Sequence, residues 1–153
     1  MLIDVISKQP NLIGFTADSS QTVLSTSYYQ SKLFSTYTGT ETLPIINTNG
    51  DFNPLWWASS IEVPKDKKRG AERIFVKFVN SSKDKIPVTI ELDKTVTRAN
   101  ATLLRNDDEY AFNYLNNQTA IHLVEEKVAV HGWGTRKVDW DVPGWSVVVL
   151  ELR

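Results

Sequence analysis

The stretch PVTIELDK, residues 87–94, sets Val88, Ile90 and Leu92 against Thr89, Glu91 and Asp93, and this period of two constrains the fold more than any other feature. Successive side chains of a strand point to opposite faces, so the alternation describes a strand with one dry and one wet face. It does not suit a helix of about 3.6 residues per turn. KVDWDV, residues 137–142, repeats the pattern, with Val138, Trp140 and Val142 against Asp139 and Asp141. RIFVKFVN (73–80) and SVVVLEL (146–152) are more continuously apolar, as expected of strands near the middle of a sheet. Turn formers stand between these runs at Asn49-Gly50, Asn80-Ser81-Ser82, Asn106-Asp107-Asp108, Asn116-Asn117 and Pro143-Gly144. Short strands punctuated in this way predict a mainly β domain, an antiparallel β-sandwich of jelly-roll type.

One stretch departs from this pattern. NLIGFTADSSQTVLSTSYYQSKLFS, residues 11–35, opens with a short apolar run containing Leu12, Ile13 and Phe15 and continues through the polar loop TADSSQ. Ser25 then stands where a helix N-cap is needed, and Tyr29, Leu33 and Tyr37 fall one turn apart on a single face, with Gly39 positioned to end the helix. The expected organisation is a strand-loop-helix unit over 1–40 followed by a sandwich over 41–153.

Composition narrows the partners. The 153 residues fit one domain of ordinary size, and 41% hydrophobic with 23% charged residues disfavours disordered and membrane classes. Seventeen basic against 18 acidic residues leave a formal charge of −1, so no overall field would hold nucleic acid, and a neutral ligand fits better. The absence of cysteine excludes disulfides, thiol catalysis and cysteine-ligated zinc. Three N-x-S/T triplets, at Asn80, Asn100 and Asn117, are glycosylation candidates and lean weakly towards secretion. The stretch MLIDVISKQP carries Asp4 in its short apolar run and lacks a basic leader and a cleavage site, so a secreted parent would carry its signal upstream.

A search for chemistry returns little. There is no G-x-S-x-G, P-loop, G-x-G-x-x-G or H-E-x-x-H motif, and His122 and His131 are without ligand-like spacing, so neither metal nor cofactor is expected. Glycoside hydrolysis needs two carboxylates at a set separation. Asp107, Asp108, Glu109, Glu125, Glu126, Asp139 and Asp141 are the candidates, and all read as solvated charges in turns or on wet strand faces. The stretch PKDKKRGAER, residues 64–73, reads as a solvated inter-strand loop, with a phosphate-binding patch as the alternative; its mixed signs blunt the potential. Of five tryptophans, Trp140 and Trp145 are expected in the interior. Trp56 and Trp57 are adjacent in a strand, so one of them must point outward as a contact surface for sugar or for another domain.

The segments DFNPLWWASS, IFVKFVNSSKDKIPVTIEL and, above all, VPGWSVVVLEL resemble the C-terminal part of α-L-arabinofuranosidases of glycoside hydrolase family 51, in its fungal and plant branch. PNLIGFTADSSQTVLSTSYYQSKLFS resembles the stretch just before it, and the likeness runs from about Pro10 to Leu152. It implies a secreted retaining enzyme that removes terminal arabinofuranosyl units from arabinoxylan and arabinan, built as a (β/α)8 barrel followed by a β-sandwich. The family's two catalytic glutamates lie on earlier barrel strands, and no segment here matches either motif. The chain therefore looks like the last barrel strand and helix plus the complete sandwich, a noncatalytic portion that packs against and stabilises the barrel. On this likeness Gln21, in the loop TADSSQTV, is the candidate sugar contact, because substrate loops follow the C-terminal ends of barrel strands. The alternative is a carbohydrate-binding sandwich that uses exposed Trp56, Trp57 and Trp133.

Overall fold

The computed structural model describes residues 13–14, 22–48, 50, 52–65, 71–108, 110–114, 117–132 and 134–153. Within them, β1 (Ile13–Gly14) pairs antiparallel with β2 (Val23–Leu24), and α1 (Thr26–Thr36) follows. The remaining elements are strands: β3 (Glu41–Leu43), β4 (Leu55–Glu62), β5 (Arg73–Asn80), β6 (Ile86–Glu91), β7 (Ala99–Arg105), β8 (Val124–Val128), β9 (Lys137–Val142) and β10 (Ser146–Leu152). Six of these form one antiparallel sheet in the order β3-β4-β5-β10-β7-β8, and β6 and β9 form a two-stranded ribbon across from it. The expected sandwich is therefore present.

The last strand in the chain sits in the middle of the large sheet. β10 pairs with β5 on one side and β7 on the other, placing Val148 between Phe78 and Leu103 and Leu150 between Val76 and Ala101. All seven of its residues are buried, which explains why SVVVLEL lacks the alternation of a half-wet strand. By contrast, β6 alternates half-buried with exposed residues, as its sequence period requires.

Alternation within the central strands supplies two cores. Ile74, Val76 and Phe78 of β5, with Val148, Leu150 and Leu152 of β10, face the ribbon and meet Val138 and Val142, flanked by half-buried Val88, Ile90 and Trp140. Phe75, Leu104, Val147 and Val149 face the other way and receive α1.

The helix forms where its sequence allows and is held by what it buries. Ser25 is the N-cap, its Oγ accepting from the Tyr28 amide at 3.2 Å and satisfying one donor that the first turn leaves open. Leu33 is 1% exposed against the second core, with Tyr29, Phe34 and Tyr37 packed around it. Complete burial of such a side chain is worth about 1.5–3 kcal/mol. Tyr37 adds a hydroxyl contact of 3.0 Å to Thr102 on β7, and its ring lies 5.6 Å from that of Phe75. Beyond the helix, Gly39 adopts φ +72 beneath β4, where a Cβ would come within 2.8 Å of Ser60.

No sign of β2 stands in the sequence. Residues 22–24 read as the end of a loop, yet Val23–Leu24 form β2, and the Leu24 carbonyl accepts from Asn113 Nδ2 at 3.0 Å. The same amide group donates to the Ile121 carbonyl at 2.8 Å and accepts from the Ile121 amide at 2.7 Å. Asn113 thus fastens the approach to α1 onto the loop that borders the second core.

Leu33→Ala is expected to lower stability by roughly 2–4 kcal/mol, and Ser25→Ala by about 1 kcal/mol, in urea unfolding followed by circular dichroism. An unchanged urea midpoint for Leu33→Ala would show that the helix is not part of the cooperative unit.

Candidate functional site

A cleft of about 640 Å³ opens on the helix side of the large sheet, beside the first turns of α1. Its floor follows from strand alternation: Val79 of β5, Val147 of β10 and Leu104 of β7 all face α1 rather than the ribbon. Trp56 stands opposite Val79 in register and forms one wall. It is 50% exposed, and its ring is flanked by Phe52 at 5.7 Å, while Trp57 turns to the ribbon side and stacks on the same Phe52 at 4.2 Å. Of the adjacent pair, Trp56 is therefore the outward-facing residue.

Trp145 forms a second wall, which corrects its expected interior position. It occupies the turn between β9 and β10 with φ +43, a backbone conformation that bulky residues seldom adopt. The turn is clamped in place. Trp145 N donates to the Ser82 carbonyl at 2.8 Å, Ser146 Oγ donates to the Pro143 carbonyl at 2.6 Å, and a Cβ on Gly144 would collide with the Lys83 carbonyl. Trp140 is half-buried against the ribbon-side core.

The loop after β7 provides the third side. Asn106 Oδ1 accepts from the Asp108 amide at 2.9 Å and Asp108 Oδ1 from the Tyr110 amide at 3.0 Å, a pair of Asx turns that place Tyr110 on the rim. Asn106 Nδ2 donates to the Ala120 carbonyl at 3.0 Å, tying the two ends of the loop together. Among the described residues, Arg105, Asp108, Gln30 and Thr26 complete the lining, with one cation and one anion.

The other site candidates are scattered. Asp107, Asp108, Glu125, Glu126, Asp139 and Asp141 are all exposed, and Asp139 accepts from Thr89 Oγ1 at 2.5 Å. Glycoside hydrolysis needs two carboxylates facing one another across a substrate cleft, and these are spread over separate exposed turns and strand faces. His122 is exposed, with Nδ1 2.9 Å from the Thr119 carbonyl, and among the described residues no three of the His, Asp and Glu side chains gather into a metal-binding group. Gln21, Glu109 and Trp133 lie outside the described residues, as do residues 66–70 of the charged stretch. At the described end of that stretch Arg73 pairs with Glu62 and Glu72 with Lys94, as suits a solvated connection between β4 and β5. A second cleft of about 730 Å³ lies on the ribbon side between β4, β5 and β6; its lining is largely core residues, with exposed Ile46 at its mouth.

The three acceptor triplets fare differently. Asn80 is 2% exposed, and its amide nitrogen donates to the carbonyls of Asp84, Val142 and Pro143 at 2.9, 3.3 and 2.9 Å. The expectation of a glycan there is corrected: this amide is a pin between β5 and the end of β9. Asn100 is half-buried within β7, and only Asn117 is exposed, in the turn closed by the Tyr114–Asn117 bridge.

Among the described residues, a large antiparallel sheet with a ribbon on one face and a helix on the other defines a sandwich domain of the kind carried by family 51 arabinofuranosidases. The chain belongs to the α-L-arabinofuranosidase C-terminal domain family, whose model matches residues 2–146. It is 31% identical over 150 residues to α-L-arabinofuranosidase A of Aspergillus niger and 30% identical to that of Aspergillus kawachii, covering 97% of this chain and 22% of each relative. Among solved structures, the arabinose-bound MgGH51 α-L-arabinofuranosidase superposes with a TM-score of 0.72 at 25% identity, over 94% of this chain and 21% of that one. The fold also matches the enzyme of Thermotoga maritima, with a TM-score of 0.69 at 20% identity over 93% of this chain and 31% of that one. The chain thus spans about a fifth of the length of the curated relatives it matches.

When the chain is produced in a glycosylating secretory host, glycopeptide mass spectrometry is expected to find glycan on Asn117 and none on Asn80. An occupied Asn80 in the folded protein would contradict the buried amide geometry.

Proposed function

We infer that the chain is the noncatalytic sandwich portion of an α-L-arabinofuranosidase, whose work is to pack against and stabilise a catalytic barrel. The observation that carries this reading is the span of the family match. It runs nearly end to end here yet takes up only 22% of each curated relative, the portion named as the C-terminal domain. The exposed, scattered carboxylates support it, since they leave the acid/base and nucleophile to the barrel.

On this reading residues 1–40 are the last strand and helix of that barrel and residues 41–153 the sandwich. Docking of Leu33, Tyr29 and Tyr37 onto the sheet then supplies part of the joint between the two. Gln21 borders the parent's substrate site, and the parent is a secreted enzyme acting on arabinose-containing polysaccharide. Among the described residues no helix is long and apolar enough to cross a membrane.

The purified chain is expected to release no nitrophenol from 4-nitrophenyl α-L-arabinofuranoside. Coexpression with the barrel half of a relative is expected to raise that half's melting temperature and recover its activity. Turnover by the chain alone that disappears when Asp108 or Glu125 is neutralised would overturn the noncatalytic reading.

A further inference from the structure

We propose that the cleft between Trp56, Trp145 and Tyr110 is a binding site for a neutral saccharide. Three features of the cleft converge on that ligand class. Its walls carry two indoles and a phenol, flat apolar faces that accept the C–H faces of a sugar ring, while the apolar floor of Val79, Leu104 and Val147 excludes water beneath. Its polar groups, Gln30, Asn106, Arg105 and Asp108, stand beside those rings, where hydroxyls need donors and acceptors. Among the described residues that line it, one arginine stands against one aspartate, a lining of mixed sign rather than one built to hold an ion.

The backbone at Trp145 strengthens the inference. A tryptophan in the left-handed region is disfavoured and persists only where its surroundings impose it. Here the Ser82 carbonyl and the Gly144 contact with Lys83 impose it, and the consequence is a fixed turn that carries Trp145 on the cleft wall. Trp56 is likewise restrained, by the Phe52 ring beside it. Aromatic walls held before the ligand arrives lose little freedom on binding.

The test titrates the full 153-residue chain with arabinohexaose and, separately, xylohexaose, following the indole N–H signals by NMR. Saturable shifts at Trp56 and Trp145 are expected with at least one of the two oligosaccharides. Trp56→Ala and Tyr110→Ala, both at exposed positions, should each weaken binding by roughly tenfold, and Ile46→Ala on the ribbon side should leave it unchanged. Absence of a saturable shift in the folded protein, or an isotherm unaltered in Trp56→Ala, would overturn the proposal. The choice of pentose oligomers rests on the function proposed above, and the two fail separately. Turnover of the aryl arabinofuranoside would sink that function without touching the isotherm, and a missing isotherm would sink the cleft without touching the family role.

Discussion

The structure depends on the insertion of β10 between β5 and β7. Seven residues of one strand are registered against both neighbours over their full length, and every one of them is buried. Because this strand is last in the chain, the sheet cannot be completed until residues 73–80, 99–105 and 146–152 have come together. Contacts of such long sequence separation carry a loop-closure cost that local elements avoid. The continuous run of valine and leucine offsets that cost by burial on both faces at once.

Two-sided burial in turn determines everything that packs on the sheet. The ribbon covers one face through Val138 and Val142, and the opposite face would expose Phe75, Val147 and Val149 if α1 were absent. The helix is therefore packed firmly on the sheet, capped by Ser25, fixed by Leu33 and Tyr37 and tied through Asn113 to the loop beyond β7. It covers that face incompletely. The cleft lies where the sheet continues past the first turn of α1, between Trp56 on β4 and the clamped turn that carries Trp145.

The legible parts of the fold were those with a periodic or local chemical signal. β6 and β9 were readable from alternation, β5 and β10 from apolar continuity, and α1 from a serine cap and one-turn spacing of large side chains. β2 was not, because two residues cannot display a period. The outward face of Trp56 followed only as one of a pair, and the choice between Trp56 and Trp57 came from register, with Trp56 opposite Val79 and Trp57 opposite Phe78. The position of Trp145 had no sequence signal, since Pro-Gly-Trp announces a turn without saying which way its third residue faces. Asn80 looked like a glycan acceptor for a related reason: an N-S-S triplet looks the same whether its amide meets water or three carbonyls.

What the amino-acid order determined by itself was therefore the kind of element at each place, the near-neutral surface and the family. These are properties of short windows and of composition, and period, cap and charge are all contained in them. Tertiary structure alone decided which side chains meet: the placement of β10 at the centre of the sheet, the burial of Asn80, and the gathering of Trp56, Tyr110 and Trp145 around one cleft. Those three aromatics come from distant segments of the chain and are neighbours only because strand pairing brings the start of β4, the end of β7 and the start of β10 together at one end of the sheet. Pairing between distant strands is set by mutual burial, a quantity that exists only once the sheet has formed.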